Sequence, residues 1–291
     1  MVFLATKGLF KGSFFFFLIV QEKSNTATSK KKFNLAIILK GYSFNFIQLL
    51  QMLSKSTAKY IQSLQHKKFR DETGCFVAEG PKLVAEFLNE NNFTCTSVFA
   101  LQNWVDENAG KPGFKSAGSI TIIEAFELEK ISAMPAPNQV LAVFEKVTSN
   151  ENPDLTQKIS LALDEIQDPG NLGTIIRTAD WFGIRNIICS QHSADIYNPK
   201  VVQSTMASLG RVNIIYTSLV DFLKKSPVKK YATVLNGQPL QQIKPIQEGI
   251  IIVGNESKGI SNEILSLCDK QITIERKGSA ESLNAAVSAA I

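Results

Sequence analysis

Residues 159–177 read ISLALDEIQDPGNLGTIIR, and this stretch decides the fold class. Its first eight residues are a nearly continuous apolar run, which is typical of a strand buried on both faces of a parallel sheet. The residues that follow predict a helix that is capped by Asn171, runs to Phe182 and stops at Gly183. The stretch therefore predicts a buried strand, a short loop and a helix in direct succession.

Similar apolar runs recur through the second half of the chain, with helical stretches between most of them: residues 184–189, 212–215, 231–235, 250–253 and 272–274. This alternation predicts a parallel sheet covered by helices, formed by residues 158–291. Ligands of such sheets bind beyond the carboxyl ends of the strands. The loops that follow the strands are therefore the place to look for a site.

The rest of the chain divides into three predicted parts. Residues 52–145 alternate strand-like and helical stretches and predict a small α/β domain, and the polar residues 146–157 predict a linker. Residues 14–20 read FFFFLIV, a run too short to span a bilayer, and no small-residue cleavage site follows it. Because a well-patterned domain begins right after Met52, residues 1–51 are predicted to be a disordered or non-native extension, without a membrane role.

The composition argues against a disulfide-stabilised protein and against a metal-binding one. The 291 residues carry a net charge of +5, with 44% hydrophobic and 20% charged residues, which indicates a globular protein and is compatible with a polyanionic partner. Four dispersed cysteines and two histidines form no cluster with metal-ligand spacing and no disulfide framework. The sequence therefore predicts reduced thiols, no metal site and a cytoplasmic location.

The loop after the first apolar run offers a candidate site. Gly173 and Arg177 are four residues apart and would share one helix face, so the glycine is predicted to leave a gap where a ligand approaches beneath the guanidinium. The apolar residues of the same helix are predicted to face the sheet: Leu172, Ile175, Ile176 and Ala179. The alternative is a capped helix with a surface arginine.

Two more loops follow strands. Residues 254–259 read GNESKG and resemble a phosphate-binding loop, but Ile260 stands where a nucleoside-triphosphatase needs lysine, which excludes that class. Residues 278–284 read GSAESLN and precede a run of small residues, so Ser282 and Asn284 would lie at a helix start. A plain turn and a tightly packed helix are the respective alternatives.

Together and in this order, the three loops resemble the signature motifs of the SpoU–TrmH branch of SPOUT RNA methyltransferases. The match covers about residues 158–291 and consists of Asn171-x-Gly173-xxx-Arg177, Gly254-Asn255-Glu256-xx-Gly259 and Ser282-Leu283-Asn284. Residues 74–82, GCFVAEGPK, resemble less specifically the small substrate-binding domain, related to a ribosomal-protein fold, that precedes the catalytic domain in many members.

The resemblance implies an α/β fold whose C-terminal parallel sheet carries a trefoil knot, a homodimer, and S-adenosylmethionine as the cofactor. The residues it implies for cofactor binding are Leu235, Gly254, Asn255, Gly259, Ile274 and Leu283. The residues it implies for catalysis are Arg177, Asn171, Glu256, Ser282 and Asn284.

The implied chemistry is an in-line displacement in which a ribose 2′-oxygen attacks the methyl carbon, the thioether S-adenosylhomocysteine leaves with the electron pair of the broken C–S bond, and the hydroxyl loses its proton. A sulfonium is an excellent leaving group, so no metal is needed, and alignment alone contributes about 7–11 kcal/mol. The resemblance implies that the arginine is catalytic, and a general-base role has been proposed for it in this family, but arginine is effectively always protonated in proteins. We therefore expect Arg177 to bind the adjacent phosphate and stabilise the developing alkoxide, while the other four residues orient it and the ribose. Glu256 is alternatively expected to hold the motif loops together.

The predicted function is 2′-O-methylation of a ribose in structured RNA, with ribosomal RNA first and transfer RNA second. The alternatives are a non-catalytic RNA-binding or ribosome-assembly protein on the same fold and a base-methylating SPOUT enzyme. A candidate RNA-facing set, for which the alternative is a solvated helix face, is Lys55, Lys59, Lys67, Lys68 and Arg70.

Overall fold

The computed structural model of the chain describes residues 53–291 in full and three earlier stretches by their backbone alone. These three stretches are the antiparallel strands β1 (Val2–Phe10), β2 (Ser13–Gln21) and β3 (Ala36–Ile37). The predicted extension over residues 1–51 falls largely outside the described residues and stays a prediction. In the described parts of the chain, no helix combines the length and the apolar character needed to cross a membrane.

Within the compact unit Met52–Ile291, the first part is built on a four-stranded sheet of order β4-β7-β5-β6. Its strands are β4 (Cys75–Glu79), β5 (Cys95–Ala100), β6 (Ser119–Ile122) and β7 (Val140–Glu145). Strand β7 runs antiparallel to β4 and β5, and β6 runs parallel to β5. The helices are α1 (Lys55–Ser63), α2 (Lys67–Thr73), α3 (Pro81–Asn89), α4 (Gln102–Asn108) and α5 (Ala125–Ile131).

The second part is an all-parallel sheet of order β10-β9-β8-β12-β11-β13, which confirms the predicted fold class. Its strands are β8 (Ile159–Leu163), β9 (Asn186–Ser190), β10 (Asn213–Thr217), β11 (Lys230–Pro239), β12 (Gly249–Val253) and β13 (Lys270–Thr273). The helices are α6 (Pro169–Trp181), α7 (Pro199–Thr205), α8 (Leu219–Lys225), α9 (Asn262–Leu265) and α10 (Ala285–Ala290). The trefoil knot stays a prediction.

The strand order creates a topological switch point beside β8. From β8 the chain adds β9 and β10 on one side, and it then crosses over to build β11, β12 and β13 on the other. Parallel α/β sheets bind ligands where the order reverses, outside the carboxyl ends of the strands. The loops after β8 and β12 meet at this point. They are two of the three loops that the sequence predicts to carry a site.

One of three hydrophobic clusters spans the two parts, and each part also has a cluster of its own. Phe76 on β4 packs against Phe144 on β7 and against Tyr197, which precedes α7, with ring centroids 5.8 and 4.8 Å apart. The Tyr197 hydroxyl accepts a hydrogen bond from the N–H of Val147 at 2.9 Å. Residues 146–157 contain no helix or strand, and this contact packs the beginning of the segment onto the second part.

The prediction that Arg70 faces RNA is wrong. Its side chain is 2% exposed, and its guanidinium pairs with Asp195 at 2.6 Å. The same group donates to the carbonyl oxygens of Leu64 and Gln65, both at 2.8 Å. A buried cation is stable only when its donors are satisfied, and this one ties α2 to the second part of the fold. The basic set is thereby reduced to its four lysines.

All four cysteines are free, and three of them are buried. Complete burial raises the pKa of the Cys189 thiol to about 12. The thiolate is the reactive form of cysteine, so Cys189 is a packing residue of β9. Within residues 53–291, no three His, Cys, Asp or Glu side chains converge in the way that a metal site requires.

Candidate active site

The start of α6 exposes the side chain of Asn171 to the switch point. Asp168 is the N-cap residue, and its Oδ1 accepts a hydrogen bond from the backbone N–H of Asn171 at 2.8 Å. This N–H, together with the neighbouring Lys200, lowers the pKa of Asp168. The prediction of Asn171 as the cap is therefore wrong: an Asp-Pro pair starts the helix three residues earlier. The amide group of Asn171 remains available for other contacts.

The prediction that Gly173 leaves a gap for a ligand is also wrong. A Cβ atom at this position would lie 2.5 Å from Cβ of Ser204 and 2.9 Å from the carbonyl oxygen of Val201. Helix α7 fills the predicted gap, and the glycine permits close packing of α6 against it. The prediction for the apolar residues of α6 is confirmed, since Leu172, Ile175, Ile176 and Ala179 are all fully buried.

We expect Gly173→Ala to lower the free energy of unfolding by about 1–3 kcal/mol, because the added methyl group overpacks the α6–α7 contact. Alanine is the better helix former, so the sign of the change isolates the packing effect. Urea unfolding followed by circular dichroism measures it. The exposed neighbour Thr174 is the control, and Thr174→Ala should change stability little. An unchanged unfolding midpoint for Gly173→Ala would contradict the packing role.

The loop after β12 is closed on itself. Asn255 and Gly259 exchange two backbone hydrogen bonds of 3.0 and 2.8 Å, and Gly259 has a φ of +69°. A Cβ atom at Gly254 would lie 2.6 Å from the backbone nitrogen of Ile260. Both glycines are thus required by the shape of the loop.

The Asn255 side chain supports this loop from within. Its Oδ1 accepts from the N–H groups of Ser257 and Lys258 at 2.9 and 3.1 Å, and its Nδ2 donates to the carbonyl oxygen of Glu165 at 2.8 Å. Asn255 therefore joins the loop after β12 to the loop after β8.

Three side chains from three separate loops meet in one hydrogen-bonded group, which we call the polar cluster: Asn171, Glu256 and Asn284. Asn171 Nδ2 donates to Glu256 Oε1. Asn284 Nδ2 donates to Asn171 Oδ1 at 2.9 Å and lies 3.2 Å from the same Glu256 oxygen. The Asn284 Oδ1 atom meanwhile caps α10 by accepting from Ala286 N at 2.9 Å. The three motif loops, distant in sequence, therefore converge.

The carboxyl end of β11 and the segment after β13 form the next part of the same edge. Strand β11 pairs with β13 up to Thr233 and again from Gln238, so residues 234–237 loop out at its carboxyl end. The Thr273 hydroxyl donates to the carbonyl oxygen of Leu235 at 3.0 Å. Leu235 and Leu283 expose 70% and 45% of their surfaces although both are apolar.

Two of the predicted catalytic residues stand apart from the polar cluster. Arg177 lies on α6, six residues past Asn171, and is exposed. Ser282 is exposed two residues before Asn284. Neither side chain forms a hydrogen bond or an ion pair with any residue in the stretch from 53 to 291. Their assignment stays a prediction.

An open cavity of about 230 Å³ lies between the loops after β8 and β12, lined by Asn171 and Glu256 among others. At its rim, Lys258 pairs with Glu165 at 2.9 Å and lowers the pKa of that carboxyl. Glu165 has a φ of +55°, which turns the chain sharply at the end of β8. The site therefore carries a solvent-exposed charge pair beside the polar cluster.

Sequence reasoning missed Asp164, Glu165 and Lys200. Asp164 Oδ2 accepts from the N–H of Ser261 at 2.9 Å and so anchors the start of α9 to the end of β8. A carboxylate directly after a buried strand, as in the LDE of residues 163–165, was a usable signal for the first two. Lys200 carried no such signal, because it reaches Asp168 only through tertiary packing.

Comparisons with known proteins agree with this geometry. The family model described as the SpoU rRNA methylase family matches residues 158–291, and the MRM3-like substrate binding domain matches residues 55–142. Among curated proteins, the chain is similar to the 23S rRNA (guanosine(2553)-2′-O)-methyltransferase RlmP of Bacillus subtilis strain 168. The identity is 32% over 234 residues, which cover 79% of this chain and 91% of the relative.

Solved structures show the same likeness. A TrmH-family protein from Porphyromonas gingivalis superimposes with a TM-score of 0.73 at 35% identity, covering 82% of this chain and 96% of that one. The AdoMet-bound rRNA methyltransferase from Sinorhizobium meliloti superimposes with a TM-score of 0.72 at 29% identity, covering 84% and 95%.

Proposed function

Because the chain belongs to the SpoU rRNA methylase family, we propose that it transfers the methyl group of S-adenosylmethionine to a ribose 2′-oxygen of ribosomal RNA. The observation that carries the proposal is the polar cluster, in which the family's three motif loops meet through Asn171, Glu256 and Asn284. The similarity to RlmP favours ribosomal over transfer RNA and a ribose over a base. An intact cluster disfavours a non-catalytic binding protein.

The residues at the carboxyl edge of the sheet fit the cofactor. The exposed leucines Leu235 and Leu283 offer apolar surface to an adenine ring, and the looped-out backbone of residues 234–237 offers polar groups beside it. Gly254, Gly259 and Ile274 contribute backbone, while Asn255 acts by holding its loop in place. When bound, S-adenosylmethionine supplies an electrophilic methyl group on a sulfonium.

Arg177 and the polar cluster then have separate tasks. The exposed Arg177 guanidinium binds the RNA phosphate next to the target and stabilises negative charge that develops on the 2′-oxygen. The cluster fixes the loops, and the exposed Ser282 remains available to orient the ribose, so that the ribose meets the methyl group in line. Glu256 acts as a positioning residue in this scheme, because its Oε1 is already occupied by Asn171 and Asn284.

The parts of the chain are proposed to divide the work. Residues 52–145 bind RNA, residues 146–157 connect, and residues 158–291 carry out the transfer. A homodimer is supported by apolar side chains exposed on two helices that pack together, with Trp181 at the end of α6 84% exposed and Val287 on α10 49% exposed. Sedimentation should give twice the mass of the chain. A cytoplasmic location stays a prediction.

Two measurements test the function together. Calorimetry should show that the protein binds S-adenosylmethionine, and incubation with the labelled cofactor should place the label in ribosomal RNA at one nucleotide that resists alkaline hydrolysis. Label found in transfer RNA alone would show that the substrate is transfer RNA and not ribosomal RNA. Cofactor binding without label in any RNA would contradict the proposed activity.

A further inference from the structure

A second cavity, of about 490 Å³, lies between the first part of the fold and α7. Its lining combines apolar side chains that include Val77 and Met134, amide side chains that include Gln65 and Gln203, and the cation Lys200. This volume falls within the range of small-molecule pockets. Nothing in the proposed transfer reaction uses the cavity.

The cavity adjoins the active site through one ion pair. Lys200 lines the large cavity, Asp168 lines the smaller cavity of the active site, and their charged groups lie 3.3 Å apart. The Lys200 stem passes over the first turn of α6, where a Cβ atom at Gly170 would lie only 3.3 Å from its Cε. A chain of nucleotides that leaves the active site over this turn would thus meet Lys200 first.

The lining matches the chemistry of a nucleotide. Apolar surface supports the flat face of a base, and amide side chains carry the donors and acceptors that read base edges. The Glu79 carboxylate also lines the cavity, but it accepts hydrogen bonds from Ser132 Oγ and from Ala133 N at 2.9 Å. Its charge disfavours a phosphate deep in the cavity, so the phosphate belongs at the Lys200 end.

The Lys200–Asp168 pair is exposed to solvent. The two side chains are 63% and 45% exposed, and exposed ion pairs contribute little to stability. A phosphate can therefore bind the Lys200 ammonium from the side that faces the large cavity, which Asp168 does not line, and so stay clear of the Asp168 carboxylate. Asp168 keeps its bond to the N–H of Asn171 when this happens, so the start of α6 is preserved.

We propose that this cavity binds a nucleotide that flanks the methylated one, with its base between the two parts of the fold and its phosphate on Lys200. The inference rests on the proposed function and assigns Lys200 as a substrate-positioning residue. It also gives the first part of the fold a defined task, because Val77, Glu79 and Met134 supply one wall of the cavity.

The test compares two variants by their KM for protein-free ribosomal RNA and by its dependence on salt. Lys200→Gln should raise KM about tenfold. It should also reduce the slope of log affinity against log salt concentration by about 0.7–0.9, as expected for one lost phosphate contact. Met134→Trp fills the cavity, so it should raise KM with an unchanged salt slope. The affinity for S-adenosylmethionine should not change in either variant.

Lys158 is the matched control. It forms a similar exposed pair with Asp154 at 2.6 Å, but it precedes β8 and so lies at the opposite end of the sheet. Lys158→Gln should leave KM and the salt slope at their wild-type values. If the wild-type enzyme methylates RNA but either cavity variant keeps the wild-type KM, the inference is overturned. A wild-type protein that methylates no RNA would instead refute the proposed function.

Discussion

Arg177→Ala is expected to lower the rate constant of methyl transfer by about 10²–10³-fold, the usual loss when one group that stabilises a developing oxyanion is removed. The guanidinium is exposed and has no partner within the fully described residues 53–291, so its donors are available to RNA. The proposed cofactor contacts lie on other loops, at Leu235, Gly254 and Leu283. Cofactor affinity should therefore be preserved, and single-turnover assays together with calorimetry measure the two quantities separately.

Arg185 provides the control for this experiment. It is also exposed, but it directly precedes β9 and lies at the amino end of the sheet, away from the motif loops. Arg185→Ala should retain full activity. Arg177→Lys should recover only part of the rate, since lysine keeps the charge but loses the planar pair of donors. A fully active Arg177→Ala variant would remove Arg177 from the mechanism.

Asn171→Asp is expected to lower the transfer rate about 10–100-fold, because it replaces a donor to the Glu256 carboxylate with a second negative charge. The two carboxylates would repel each other and push the loops after β8 and β12 apart. The same single-turnover assay measures the loss, and circular dichroism checks that the fold is retained.

The double variant Asn171→Asp/Glu256→Gln distinguishes positioning from a general loss of stability. It removes the repulsion and again places an amide opposite a carboxylate, so it should be more active than Asn171→Asp alone. Asn150→Asp makes the same chemical change at an exposed position outside the site and should be silent. A double variant less active than either single variant would show that the cluster does not act through the Asn171–Glu256 contact.

The sequence was most informative where local pattern decides structure. Apolar runs indicate the six parallel strands, and those buried on both faces, such as β8 and β9, carry no alternation. The order of the three loops along the chain resembles that of a known family, and this resemblance predicted that Asn171, Glu256 and Asn284 converge. The hydrogen bonds of Glu256 support the view that it holds the loops together.

Two of the failed predictions concern partners that are distant in sequence. Gly173 faces Val201 and Ser204 on another helix, so its missing side chain could not be distinguished from a ligand gap in advance. Arg70 pairs with Asp195, which is 125 positions away, so the residues around Arg70 carry no sign that its side chain is buried. The cap of α6 is different, because the Asp168-Pro169 pair that starts the helix is itself a local sequence signal, stronger than that of Asn171.

The proposed function requires that the site at which the three loops converge transfers a methyl group to a ribose hydroxyl. The most direct measurement uses an RNA fragment with a single 2′-deoxy substitution at the methylated nucleotide, assayed beside the unmodified fragment. The deoxy fragment should bind with similar affinity and accept no methyl group from S-adenosylmethionine. Undiminished transfer to the deoxy fragment would place the methyl group on the base and contradict the account.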